Sequence, residues 1–508
     1  MSRGAGAPPT RMSAARTLGV GLGVPLVAGA ASVVGFAPFY YWPVPIVALA
    51  ALFLVWRGSG SALQAALSGF AFGLGYFLAG VSWVYVSLHV FGSMPAALAA
   101  LSTFLFCAYL ALFPAAAGWA VARFAPADTG ARLALAAAAM VGFEWLRGWL
   151  FTGFPWLNLG TSQVPGSPLA GFAPYLGAYG VSLAVAGAGA FIAASLSSRG
   201  RARGAALAGA AALLLAGWLG FLVPWTAPAG APVSIGLLQG NVAQEIKWRE
   251  DVRARTLAGY HRMITETDAR IVIIPETALP AFLDELPKEY VASLVEHGRE
   301  KDKEILIGTV ERDRHGDDFL YYNSVVRLAP GTMPSYRKRH LVPFGEFIPP
   351  GFRFVLAVLK IPMSDFSAGR ASQPALVAAG IPFGVAICYE DIFGEEVIDF
   401  LPEAQILLNV SNDAWFGRSF AADQHLQSSQ MRALETGRWM VRSTNTGASA
   451  AIDERGRVVS RLPAFTAGSL VERVTPRQGA TPYSRWGNAP ALLLAATLAI
   501  LAMRRRRL

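Results

Sequence analysis

Long apolar stretches broken by short connections fill the first 224 positions and one more closes the chain, whereas 225–486 mixes polar and apolar positions throughout. The runs lie at roughly 15–35, 41–56, 62–87, 95–122, 131–150, 178–197, 204–224 and 487–503, the first two divided only by Phe36-Ala37-Pro38-Phe39. About 20 mostly apolar residues cross the hydrocarbon core of a bilayer. A segment in lipid must also pair its own backbone amides, which selects helices. The pattern predicts a multi-span α-helical membrane bundle: seven spans in a domain over 1–224, then a last span and tail over 487–508.

Between them, short β-branched runs at Val233–Leu238, Ile271–Ile274, Ile305–Ile307, Ser324–Leu328, Gly384–Ile387 and Ile406–Val410 read as buried strands. They alternate with polar, helix-like stretches at 246–269, 287–302 and 421–437. Alternation of this kind predicts a layered α/β domain over 225–486.

Composition and charge sharpen this division. Of the 508 residues, 54% are hydrophobic and 15% charged, against about 25% charged in soluble globular chains. That excludes an ordinary water-soluble enzyme and a disordered chain. The formal net charge of +10 is uneven: the first 230 residues carry ten arginines and two acids, Asp128 and Glu144, and Arg504–Arg507 end the chain. Basic residues flanking apolar runs are an orientation signal, so no nucleic-acid partner is expected. Arg3, Arg11, Arg16, Arg57, the Arg123–Arg132 and Arg199–Arg203 loops and the tail fall on one side under strict alternation. The opposite connections, near 36–41, 88–94 and 151–177, hold no Lys, Arg, Asp or Glu. Both termini are therefore expected in the cytoplasm and 225–486 on the outer face, with the first run an uncleaved anchor. Glu144 and Arg147, one helical turn apart in the fifth run, suit either mutual neutralisation or a lipid head group.

Candidate chemistry gathers at strand ends. Cys107 lies in an apolar run, but Cys388 is the single cysteine of 225–486 and follows Phe383-Gly384-Val385-Ala386-Ile387 directly. A thiol at a strand end, followed by a turn of backbone N–H groups, can become a nucleophile beside an oxyanion site. Glu276 ends the strand Ile271-Val272-Ile273-Ile274 after Pro275, and Lys338 sits within Tyr336-Arg337-Lys338-Arg339-His340-Leu341-Val342-Pro343-Phe344-Gly345-Glu346. A strand-end Glu and a cationic run also read as solvated charges, so for these two segments both readings stay open. Chemically, a thiolate such as that of Cys388 can attack an ester carbonyl and leave a thioester, with a carboxylate as general base and an ammonium and a backbone N–H at the oxyanion. Of the histidines, His340 and His425 are the plausible alternative bases, and His340 reads as structural. There is no HExxH or CxxC, and no lysine follows a glycine, so no metal and no cofactor is implied.

A strand-end Glu, then a Lys, then a strand-end Cys is the order of the Glu-Lys-Cys triad, and 225–486 resembles the nitrilase (carbon–nitrogen hydrolase) superfamily. The whole chain resembles the bacterial apolipoprotein N-acyltransferase family. The resemblance rests on the 336–346 block, Cys388-Tyr389-Glu390, Ser411-Asn412-Asp413-Ala414-Trp415-Phe416-Gly417, Trp83-Val84-Tyr85-Val86-Ser87 and Thr152-Gly153-Phe154-Pro155-Trp156. One departure is Ile274 where the family often has Trp before the Pro-Glu pair. The resemblance implies a nitrilase-like αββα sandwich, with Glu346, Tyr389 and Glu390 supporting the triad. It also implies substrate-side roles for Trp248, Asn323 and Trp415. The expected activity is two-step acyl transfer, from a phospholipid donor to the α-amine of a diacylglyceryl-cysteine at a lipoprotein N-terminus, with the catalytic domain in the periplasm of a bacterial inner membrane. The rivals are a membrane-tethered amidase or nitrilase, with water as second nucleophile, and a non-enzymatic transporter or assembly platform.

Overall fold

A computed structural model describes residues 11–126, 128–349, 351 and 365–504, with side chains from 21 onward. Arg3 and Arg505–Arg507 of the orientation argument lie outside the described residues, as do the side chains of Arg11 and Arg16.

A helix stands at each of the eight apolar runs: Arg11–Ser32, Pro43–Gly58, Ala62–Val81, Ala96–Phe124, Thr129–Arg147, Ala173–Ser197, Gly200–Gly220 and Ala489–Arg504. Four helical stretches among the described residues are long and apolar enough to cross a membrane: Ala62–Val81, Ala96–Phe124, Pro168–Ser197 and Gly200–Gly220. The third run stops short of its expected end at 87, because Ser82 and Trp83 break the helix before two short turns, Val84–Val86 and Ser87–Phe91.

The central block folds into two stacked six-stranded sheets. In order across the first are Gly468–Val474, Val233–Gln239, Ile271–Ile274, Glu304–His315, Asp318–Leu328 and Ser335–Arg337; across the second are Val458–Arg461, Ala450–Ile452, Trp439–Thr444, Ile406–Ser411, Ile381–Ile387 and Leu376–Ala378. Three neighbouring strands run parallel in the middle of each, with antiparallel strands outside. Parallel strands are covered on both faces, and Ile271–Ile274 and Ile406–Ser411 are buried at every position.

Ile235, Leu237, Ile273 and Leu306 of one sheet meet Phe383, Val385, Ile387, Leu408 and Val441 of the other. The helices Glu250–Glu266 and Lys288–Lys301 cover the outer face of the first sheet through Leu257, Ile264 and Leu294. Ala421–Thr436 covers that of the second through Leu426 and Ala433. The layers are helix, sheet, sheet, helix, the expected αββα sandwich. Where the chain leaves and rejoins the bundle, Thr226–Pro228 pairs with Arg477–Gly479 and ties the two ends of the domain together.

Ala421–Thr436 is also a layer of the bundle. Gln424 Oε1 accepts the indole N–H groups of Trp83 (3.2 Å) and Trp156 (2.8 Å), and its Nε2 donates to Gly80 O. Gln427 accepts from Ala37 N and donates to Val164 O, and Glu435 accepts from Ala178 N. A helix this polar reads as a surface helix, yet almost all of it is buried. The amides of its glutamines supply the partners that a buried interface demands.

The charge-free 151–177 connection also turns inward. Trp156, Leu159, Thr161 and Gln163 are buried between bundle and sandwich, while Phe151 stays 79% exposed. Arg147 donates to Phe154 O and, at 2.8 Å, to Trp156 O, and Glu144 accepts from Leu159 N at 2.7 Å. Both side chains are buried, 4.0 Å apart. Their work is to hold this returning segment, which favours the structural reading of the pair.

Gln424→Leu strips both indoles of their acceptor. It is expected to cost at least about 2 kcal/mol, since each buried group left unpaired costs about 1–3 kcal/mol. A thermal midpoint of the detergent-solubilised protein equal to wild type would count against this role.

Candidate active site

Three strand ends build the site. Ile381–Ile387 ends in Cys388, whose φ of +53° puts a non-glycine residue in the left-handed region at the start of a tight turn, Cys388–Ile392. Strain of this kind persists only where surrounding contacts over-determine it. Here the Ile387 N–H donates to Glu390 Oε2 at 2.7 Å. Glu390 Oε1 accepts from Tyr336 OH (3.0 Å), Arg339 N (2.7 Å) and His340 N (3.1 Å). One buried carboxylate thus clamps the Cys388 turn to the segment that carries Lys338. Burial pushes the Glu390 carboxyl up to about 7, against the opposing pull of those backbone N–H groups and Lys338.

Glu276 follows Ile271–Ile274 and is buried; its Oε1 accepts from Asn323 Nδ2 at 2.7 Å and its Oε2 from Asn412 N at 2.7 Å. Lys338 leaves the strand Ser335–Arg337 and is 1% exposed. Its Nζ lies 2.9 and 2.8 Å from the two Glu346 oxygens and 3.7 Å from Glu276 Oε1. Asn323 bridges the two carboxylates, donating also to Glu346 Oε1 at 3.0 Å. Burial works against the Lys338 ammonium, but Glu346, Glu276 and Cys388 together outweigh it and hold its pKa above the ordinary value. Burial first, and then the Glu276 charge, push the Cys388 thiol up, while Lys338 and a hydrogen bond with Ser411 pull it down. Lys338 therefore stands between Glu276 and Glu346, which Asn323 bridges, and the Cys388 thiol feels the charges of both Glu276 and Lys338.

Cys388 packs against the bundle core and the inter-sheet core alike. Tyr389 donates from its hydroxyl to Gly153 O at 3.0 Å and stacks near Phe154, so it ties the Cys388 turn to the bundle. His340 stacks on Phe393 and pairs with Glu396, apart from Glu276. The two tryptophans stand further out. Trp248 is 40% exposed, and Trp415 packs beside Phe91 while its carbonyl accepts from Ser87 Oγ.

Sequence reasoning missed Lys247. It is 1% exposed, donates at 2.8 Å to Oγ1 of Thr277, the residue after Glu276, and burial brings its pKa down to about 8 with Glu276 opposing. The available signal was a lysine in the short link between a buried strand and its helix. Also missed was a charged cradle beneath Cys388, in which Asp391, Asp413, His425 and Arg442 are all buried. Ser411–Gly417 gave part of it, as its Asp413 accepts from Arg442 Nη2 at 2.9 Å.

An αββα sandwich with a carboxylate and an ammonium following strands of one sheet and a thiol following a strand of the other, fused to apolar helices, defines a carbon–nitrogen hydrolase domain carried by a membrane protein. Residues 234–483 match the family model described as carbon-nitrogen hydrolase, and residues 28–191 match that of the apolipoprotein N-acyltransferase N-terminal domain. The chain is 49% identical to an apolipoprotein N-acyltransferase of Nitrosomonas europaea, an alignment covering 94% of this chain and 97% of that one. Those of Methylococcus capsulatus (47%; 93% and 94%) and Ralstonia nicotianae (44%; 94% and 92%) are similar to it over nearly the same extent. The chain belongs to the apolipoprotein N-acyltransferase family and, with it, is an acyltransferase.

Because its folded pKa of about 7 exceeds the ordinary 4.5, Glu390 withdraws stability as pH rises through that interval. Unfolding midpoints measured from pH 5 to 8 should fall with pH in the wild type. Glu390→Gln should remove part of that slope. It should also cost about 1–3 kcal/mol, since its amide group meets the Ile387 N–H donor to donor.

Proposed function

We propose that the chain moves a fatty acyl group from a phospholipid to the α-amine of a diacylglyceryl-cysteine at a lipoprotein N-terminus, through a thioester on Cys388. The observation that carries this reading is the convergence of Glu276, Lys338 and Cys388 where the sandwich meets the apolar bundle.

Glu276 takes the thiol proton as sulfur bonds to the ester carbonyl carbon, and the carbonyl π pair becomes an oxyanion facing Lys338 and the Tyr389 N–H. Collapse breaks the ester C–O bond, and the proton on Glu276 goes to the departing lysophospholipid oxygen. In the second half the amine bonds to the thioester carbon and gives a proton to Glu276. The C–S bond then breaks, and sulfur recovers that proton. A thioester suits this exchange because a nitrogen nucleophile cleaves it readily.

The membrane arrangement that fits has all eight apolar helices as spans, both termini in the cytoplasm and 225–486 in the periplasm of an inner membrane. The basic loops on one side and the charge-free connections on the other support it. Trp248 and Trp415 are proposed to line the approach of substrate to Cys388. Family membership over nearly the full chain favours amine over water as the second nucleophile.

Cys388→Ala, Glu276→Gln and Lys338→Ala are each expected to reduce transfer at least about 10²-fold. Incubated with labelled phospholipid and no acceptor, the wild type should gain one acyl chain, mapped to Cys388 by mass spectrometry and released by a diacylglyceryl peptide. An unmodified Cys388 under these conditions would refute the thioester route.

A further inference from the structure

The strained turn at Cys388 rests on contacts that converge on one backbone atom. The Cys388 carbonyl oxygen accepts from Asn409 Nδ2 at 3.0 Å and lies 3.1 Å from His425 Nε2. Everything around these two donors keeps them in place. Asn409 Oδ1 accepts from Arg442 Nη1 at 2.9 Å. His425 Nε2 is 2.7 Å from Asp391 Oδ1, and its Nδ1 is 3.1 Å from Asp413 Oδ1 and 2.7 Å from Arg442 Nη2. Arg442 also reaches Asp391 Oδ2 at 3.2 Å and Asp413 Oδ2 at 2.9 Å, and Ser429 and Ser411 close the two carboxylates. Trp156 of the bundle lies against the imidazole, with ring centroids 5.4 Å apart.

Both neighbours of His425 Nε2, a carbonyl and a carboxylate, are acceptors, so that nitrogen carries a proton. Burial and Arg442 work against the imidazolium, but Asp391 and Asp413 outweigh them and raise its pKa. Two acids and two bases this deep are costly to bury and are tolerated when fully paired. Two carboxylates, a guanidinium and an imidazole that meet beneath a single carbonyl call for a reason beyond stability.

That reason lies across the peptide. The 388–389 bond is not among the cis bonds of the described residues. In a planar trans peptide the C=O and the next N–H point to opposite sides. We propose that His425 and Asn409 are positioning residues for acyl transfer: by holding the Cys388 carbonyl beneath the turn, they aim the Tyr389 N–H at the oxyanion that forms above it. The proposal rests on the thioester chemistry of Cys388, and it adds how one of the two oxyanion donors is fixed and why the 421–436 helix carries a buried histidine on its inner side.

Two reactions of the same sulfur separate aiming from mere support. Acylation by a p-nitrophenyl ester of a fatty acid passes through an oxyanion, whereas alkylation by iodoacetamide displaces iodide at a saturated carbon and forms none. In the purified full-length protein, His425→Ala and Asn409→Ala should slow release of p-nitrophenol about 10–100-fold while leaving alkylation of Cys388 within about threefold of wild type. His425→Gln, which keeps an N–H donor, should recover part of the loss. Equal falls in both reactions would reduce these residues to supports of the turn, and unchanged acylation would overturn the proposal. If His425→Ala does not fold, Asn409→Ala and His425→Gln decide by the same comparison. A wild type that accepts the p-nitrophenyl ester but not labelled phospholipid would refute the donor assigned above while leaving this inference standing.

Discussion

The site depends on a buried ammonium held between two carboxylates. Lys338 alone in such a place would lose its proton or unfold its surroundings, but Glu346 and Glu276 keep it charged. Lys247 adds a second buried amine beside Thr277. Under the proposed route, moving the thiol proton to Glu276 leaves the total charge of this enclosure unchanged. It would also remove the charge that opposes a thiolate, while Lys338 still favours one. The resting thiol and the reactive thiolate are thus two states of one coupled set of groups.

A second constraint ties this chemistry to the bundle. Ala421–Thr436 presents Gln424, Gln427 and Glu435 to the bundle at Trp156, Val164 and Ala178, and His425 and Ser429 to Asp391 in the turn that follows Cys388. Tyr389 reaches the bundle from the next residue after the nucleophile. Cys388 therefore sits at a seam between two cores, and any shift of the bundle at Trp156 is felt two contacts away at the Cys388 carbonyl.

Much of the fold was legible because its signals are local. Six of the twelve sandwich strands showed as β-branched runs, with Ile271–Ile274 matched residue for residue. Trp439–Thr444 did not, because Arg442 interrupts its apolar pattern. That arginine is fully buried, and only its pairing with Asp391 and Asp413 makes it tolerable there. Gly468–Val474 alternates half-buried with exposed positions along a sheet edge, which leaves a weak signal. The polar 421–437 stretch was recognisable as a helix but not as a buried one, since its partners, Trp83 and Trp156, lie more than 260 positions away.

The order of apolar runs and strand ends along the chain determined a bundle with an inserted sandwich and marked Glu276, Lys338 and Cys388, because helical and strand periods and the residues that stop them act over a few positions. Tertiary structure alone decided that Glu144 and Arg147 hold the 151–177 segment, that Lys247 pairs with Thr277 next to Glu276, and that His425 and Asn409 grip the Cys388 carbonyl. Those outcomes depend on which charges and amides lose water together. Burial of this kind is set by distant segments meeting, and no local pattern encodes it.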